Sequence, residues 1–163
     1  ARSVMEELVT YVDVLIANEE DADKVLGIRA ADTDVTAGRL SREGYKDVAR
    51  RICEKYGVKK VGITLRKSLS ASDNLWSAML YDGADCCFSK EYSIHIVNRV
   101  GGGDSFTAGL IYGLCNGFDT QRAVEFAAAA SCLKHSIEQD FNLVTVDEVE
   151  KLMSGDGSGR VQR

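Results

Sequence analysis

Asp104 stands directly behind three consecutive glycines, Gly101, Gly102 and Gly103, in the run Asn98-Arg-Val-Gly-Gly-Gly-Asp-Ser-Phe106. Glycine has no Cβ to block close approach and takes φ > 0 freely. Phe106, Gly109, Leu110, Gly113, Leu114 and Gly117 then recur at the spacing of one helix face. A glycine turn therefore opens into a helix whose first turn holds Asp104. Free N–H groups and the positive end of the helix dipole would face any anion placed there. A carboxylate beside an anion cradle makes chemical sense if it handles a proton while the N–H groups hold a phosphoryl group. The same residues also read as a tight turn with Asp104 as an ordinary first-turn acid, and both readings stay open. A dinucleotide fingerprint is excluded because Phe106 stands where its third glycine belongs, and a Walker loop because no Lys-Ser/Thr follows.

Elsewhere, Asn18-Glu-Glu-Asp21 closes an apolar run and reads as a helix start, with Asn18 as N-cap and three acids in the first turn. An alanine-rich stretch, Ala127 to Ala130 followed by Ser131, reads as a close-packed helix face, and the lone His135 as a structural residue. Cysteines 53, 86, 87, 115 and 132 lack metal-ligand spacing and read as buried thiols in a reducing cytoplasm rather than disulfides.

Val100-Gly-Gly-Gly-Asp-Ser-Phe-Thr-Ala-Gly109 resembles the second signature of the PfkB/ribokinase family of carbohydrate kinases, and Asn18-Glu-Glu-Asp21 resembles its Asn-x-x-Glu motif. The likeness runs from Val12 to Arg163 and is greatest to the C-terminal half of members acting on keto-deoxy sugar acids. It implies a ribokinase-like three-layer α/β/α sandwich, with only its C-terminal half present. It implies ATP-dependent phosphorylation of a sugar-acid hydroxyl, with Asp104 as base and the N–H groups of Gly101, Gly102 and Gly103 as anion hole. Asn18 and Asp21 would hold Mg²⁺ with the phosphates, though Asp21 is one methylene shorter than the usual Glu. Thr64 and Arg66 would lie by the nucleotide, with Arg66 in place of a family glycine. Ala128 and Ser131 would line the adenine side, and Asp140 would contact the sugar. Asn98-Arg99 replace an Asp-Thr pair that binds a monovalent cation in many relatives, so that site is not carried over. The alternatives are a kinase for another sugar or nucleoside, and a non-catalytic nucleotide-binding or assembly module.

The elements that position these residues read as mixed α/β. Residues 3–10 form an amphipathic helix with Val4, Met5, Leu8 and Val9 on one side, and residues 11–17 a buried strand. Residues 29–39 read as loop. Ser41 caps a helix, with Leu40 and Tyr45 as its staple, which stops at Gly57. Residues 58–65 form a second strand, and the intervening helix implies a crossover with parallel pairing. Asp82-Gly83 predicts a two-residue hairpin turn between strands 75–81 and 84–89. Residues 92–97 form another strand, Thr120 to about Ser136 a helix, and Thr145-Val-Asp-Glu148 a capping box opening a last helix to Met153. Residues 1–154 read as one nucleotide-binding and catalytic portion, and 155–163 as a flexible tail. A net charge of −5 argues against nucleic acid or an anionic membrane as partner, and no apolar run approaches a membrane span. A cytoplasmic location follows. The missing half predicts a homo-oligomer, or association with that half through an exposed sheet edge.

Overall fold

The computed structural model describes residues 2–28 and 42–155; the expected loop at 29–39, the Leu40–Ser41 part of the cap and staple, and the tail beyond Gly155 lie outside the described residues. The chain forms two compact units, Ala1–Ile63 with Met79–Cys87, and Thr64–Ala78 with Phe88–Arg163. Strand order is β1-β2-β3-β4, with β5 paired to β3.

In the first unit, α1 (Arg2–Leu8) runs into a 3-10 turn (Val9–Tyr11) and then β1 (Val14–Asn18), so the strand begins three residues later than expected, and of the expected buried strand only Ala17 is buried. The apolar side of α1 faces solvent: Val4, Met5 and Leu8 are exposed and only Val9 of that set is buried. What holds α1 is its polar side, through Arg2 donating to Leu26 O at 3.4 Å and Glu6 accepting from Lys55 at 2.9 Å and Tyr56 at 3.2 Å. After α2 (Glu19–Lys24) comes α3 (Arg42–Tyr56), which buries Tyr45, Val48, Ala49, Ile52 and Tyr56 along one stripe. It ends at Gly57 with φ +76°, the expected left-handed cap. In β2 (Lys60–Ser68), Val61, Gly62 and Ile63 are buried in succession, as expected of a strand covered on both faces. Between β3 (Asp73–Tyr81) and β4 (Cys86–Phe88) the connection is four residues rather than two. Asp82 Oδ1 accepts from the N–H groups of Ala84 (3.0 Å) and Asp85 (2.8 Å), while Gly83 takes φ +98°. The Asp-Gly pair performs its turn chemistry inside this wider loop.

In the second unit, β2 returns as β3 through residues 69–72, a hairpin clamped by Ser70, whose Oγ donates to Asp73 Oδ2 at 2.8 Å. β3 pairs antiparallel with β5 (Tyr92–His95) in the register Asn74↔Ile94 and Trp76↔Tyr92. The helices α4 (Gly102–Cys115) and α5 (Thr120–Lys134) meet almost backbone to backbone. A Cβ at Gly109 would lie 2.9 Å from Ala127 Cα, and one at Gly113 would lie 3.3 Å from Ala123 Cα. The glycine face of α4 and the alanine face of α5 are thus one packing device. Thr145 and Glu148 form the expected capping box at the start of α6 (Val146–Ser154).

Glu125 is buried on α5, where its carboxylate accepts from Lys90 N at 2.8 Å and from the Tyr92 hydroxyl. Burial, then the Glu125 hydrogen bond, pushes the Tyr92 phenol far above its ordinary range, so it remains a donor. Tyr92→Phe leaves one carboxylate oxygen unpaired and should cost about 1–3 kcal/mol in urea unfolding; a change below roughly 0.5 kcal/mol would show that the pair carries no stability. All five cysteines are free, but of the expected buried thiols only Cys132 is buried: Cys53, Cys86 and Cys87 are half-buried, and Cys115 is exposed. Burial raises the Cys132 thiol to about 12 and Cys86 to about 11.

Candidate functional site

The site is built where β5 hands over to α4. Gly101 takes φ +79° as N-cap, and Ser105 N–H makes the first helical bond to its carbonyl at 2.9 Å. Gly102 N–H reaches back to Arg99 O at 3.3 Å. The N–H groups of Gly101, Gly103 and Asp104 find no acceptor among the described residues. The open donors are therefore Gly101, Gly103 and Asp104, with Gly102 engaged by the turn itself. Together with the dipole of a 14-residue helix they make a place for an anion.

Each glycine of the triplet has its own reason. A Cβ on Gly101 would need a left-handed backbone and would lie 2.6 Å from Asp140 O and 3.1 Å from Lys134 Cε. One on Gly102 would lie 2.7 Å from the His135 ring. One on Gly103 meets nothing within 4 Å, so its face is open to a ligand.

Two loop segments are stitched together beneath the turn. The N–H groups of Val97 and Asn98 both donate to His135 O, at 2.8 and 3.2 Å. Asn98 Nδ2 donates to Glu138 O at 2.6 Å while its Oδ1 accepts from Val100 N at 2.9 Å. Ser131 Oγ donates to Gly102 O at 2.8 Å, fixing the turn onto α5. His135 is buried with its ring 4.8 Å from Trp76. Its Nδ1 lies 2.7 Å from Ser131 O, and a carbonyl partner makes that nitrogen the protonated one. Histidine here is a wedge under Gly102, matching the structural role expected for it.

Burial is the main cause that holds His135 below its usual range; the Ser131 carbonyl opposes it, and the cations Lys134, Arg99 and Arg66 add to it. The unfolded chain thus takes up a proton near the ordinary value of 6.5, and the folded site only at lower pH. The stability this contributes is complete above that value and is lost as pH falls through the folded pKa. Urea unfolding between pH 7 and 5 should show stability falling, and His135→Gln should flatten that dependence; an unchanged slope in the variant would assign it to other groups.

Asp104 is exposed in the first turn of α4, with no hydrogen bond or ion pair among the described residues. Its carboxylate is free to meet a substrate. Thr64 is half-buried and Arg66 exposed, both on β2, which continues two residues past Arg66 to Ser68. Ala128 and Ser131 are fully buried within α5, Ser131 spent on Gly102, so neither offers surface to a ligand in this unit. Asp140 places its carbonyl against Gly101 and leaves its side chain exposed. Asn18 and Asp21 belong to the first unit and form a capping box: Asn18 Oδ1 accepts from Asp21 N at 2.9 Å and Asp21 Oδ2 accepts from Asn18 N at 3.2 Å. That arrangement leaves Asp21 Oδ1 without a partner among the described residues. No group of three His, Cys, Asp or Glu side chains among the described residues could hold a metal unaided. Within the first unit this cap offers a divalent ion a single carboxylate oxygen, so the ion would take its other ligands from phosphate and water.

Sequence reasoning missed Lys134 and undervalued Asn98. Lys134 is fully buried beneath Gly101, and only the tertiary packing of α5 reveals it.

Residues 1–138 match the family described as pfkB family carbohydrate kinase. The crystal structure of a 2-dehydro-3-deoxygluconokinase from Thermotoga maritima is 52% identical and superposes with a TM-score of 0.87, covering 94% of this chain and 45% of that one. A 2-dehydro-3-deoxygalactonokinase from Haloferax volcanii is 27% identical over 159 residues, 98% of this chain and 43% of the relative. The structure of an Arabidopsis thaliana ribokinase complexed with ribose and ATP shares the fold at 23% identity and a TM-score of 0.64, over 93% of this chain and 44% of that one. The chain therefore spans a little under half the length of these relatives. No described helix is long and apolar enough to cross a membrane.

Proposed function

Because this chain belongs to the pfkB family of carbohydrate kinases, we propose that it carries the phosphoryl-transfer half of a kinase acting on 2-keto-3-deoxygluconate, with ATP as donor. The observation that carries this reading is a carboxylate without a partner, Asp104, next to three unsatisfied N–H groups on an open glycine face. ATP, with Mg²⁺, would supply the terminal phosphoryl group, the sugar oxygen forming its bond to phosphorus as the bond to ADP breaks. Phosphoryl transfer asks the protein mainly for positioning and charge stabilisation. Gly101, Gly103 and Asp104 donate their N–H groups to the oxygens of that phosphoryl group, a fixed set of dipoles that needs no rearrangement. Asp104 accepts the proton from the attacking sugar hydroxyl. Arg66, exposed on β2, would add positive charge. Asp140 would contact the sugar, and Asn18 with Asp21 would hold Mg²⁺. Both kinases named above for dehydro-deoxy sugar acids support that acceptor class.

A coupled assay of the full-length protein with ATP and Mg²⁺ across 2-keto-3-deoxygluconate, its galactonate epimer, ribose and nucleosides tests the proposal. Highest turnover on a keto-deoxy sugar acid is expected. Preference for ribose or a nucleoside would move the reading to another acceptor, and nucleotide binding without any turnover would leave a non-catalytic module. Light scattering of this chain by itself should show self-association or retention of its missing half through the open sheet edge, and a clean monomer would refute that part.

A further inference from the structure

Lys134 closes α5 with none of its surface exposed. Lysine is almost never fully buried unless it is paired. Among the described residues the ammonium makes one hydrogen bond, to the Ile137 carbonyl at 3.5 Å, the outer limit for such a bond. No carboxylate reaches it among the described residues. An ion taken out of water without a counter-ion is strongly unfavourable. A methionine of similar shape would fill the space at lower cost, so packing alone does not explain the charge.

Its position does. The Lys134 stem lies 3.1 Å from where a Gly101 Cβ would stand, directly under the residue that opens α4. That residue and the two that follow Gly102 carry the three N–H groups without an acceptor among the described residues. Arg66 and Arg99, both exposed, join Lys134 among the cations that lower the neighbouring His135, so the surroundings of the turn carry positive charge. The strap that Lys134 touches, residues 137–140, is the one whose Asp140 carbonyl closes on Gly101.

We propose that Lys134 is a built-in counter-charge for the phosphoryl group held at Gly101–Asp104. It touches no substrate: it is a positioning residue, buried on the protein side of the turn, that sets a positive potential at the N–H donors and keeps the strap closed on Gly101. In a low-dielectric interior a fixed charge at this range acts strongly on an incoming anion. The inference rests on the kinase reading for its ligand, though the site it describes is an anion site in its own right.

The test compares the full-length protein with Lys134→Met and Lys134→Ala. Calorimetric titration with inorganic tripolyphosphate, without sugar, should show Lys134→Met binding at least tenfold more weakly, with a melting temperature equal to or above wild type. Sugar phosphorylation should fall in kcat by tenfold or more. Lys134→Ala should regain binding on addition of n-propylammonium, which replaces the deleted atoms and charge, and should gain nothing from n-propanol. Tripolyphosphate affinity within twofold of wild type in Lys134→Met would overturn the proposal. So would a lowered melting temperature in both variants with no rescue by the amine, which would make Lys134 a strut. If wild type turns over no sugar while the binding arm behaves as described, the kinase reading fails and the counter-charge stands. If wild type is an active kinase and Lys134→Met matches it, the counter-charge alone fails.

Discussion

Asp104→Asn in the full-length protein lowers kcat by roughly 10²–10⁴-fold, the range contributed by a positioned general base, and leaves the KM for ATP within a few-fold of wild type. The substitution keeps the shape of the side chain and removes only its ability to accept a proton. Asp104 is exposed and bonded to nothing among the described residues, so no structural contact is broken. The backbone N–H of residue 104 remains available to the phosphoryl group in either variant, which is why nucleotide affinity should hold. An effect on kcat and kcat/KM together marks an interaction made in the transition state rather than in binding. Steady-state kinetics with a melting curve on each protein checks this. A loss below about threefold, far short of what a general base supplies, would take Asp104 out of the mechanism and leave the glycine turn as an anion site alone.

The parts of this molecule that were legible in the sequence are those fixed by local chemistry. Thr145 with Glu148 forms the reciprocal cap its spacing announces, Asn18 is the expected N-cap with Asp21 completing it as a capping box, and Gly57 ends α3 because a left-handed residue is needed there. The helix face from Phe106 to Gly113 was visible as a period, and the alanines of α5 supply its partner surface. What stayed hidden depends on neighbours distant in sequence. Arg66, Lys67 and Ser68 look like the end of a strand because they are polar, yet β2 continues through them as the exposed arm of a hairpin clamped by Ser70. The apolar side of α1 suggested burial, whereas Arg2 and Glu6 are the residues that anchor that helix. Lys134 reads as a basic residue at a helix C-terminus, and nothing in its local sequence indicates that it lies buried against Gly101. Of the three glycines, the sequence could not say which N–H is consumed by the turn, because that depends on the Arg99 carbonyl folding back to Gly102.

That last distinction yields the sharpest contrast available in this site. Gly101→Ala forces a side chain into the left-handed region, at about 1–3 kcal/mol, and drives it against the Asp140 carbonyl. Gly102→Ala collides with the His135 ring. Both variants should lose stability, and any loss of activity in them is uninformative about phosphate. Gly103 differs: its φ is not positive, and a methyl group there meets no protein atom within 4 Å. Alanine also favours a helical backbone over glycine by about 0.5–1 kcal/mol. Gly103→Ala should therefore melt at or slightly above the wild-type temperature. Its turnover should nonetheless fall on the order of 10²-fold, because the methyl occupies the space through which the phosphoryl oxygens reach the N–H groups, and displacement of the reacting group by about 1 Å is enough for such a loss. Gly103→Val should be worse in kinetics for the same reason. Melting temperature and kcat/KM measured on the three alanine variants in parallel decide the matter. If Gly103→Ala keeps wild-type turnover, no phosphoryl group approaches that face, and the open glycine surface has another purpose.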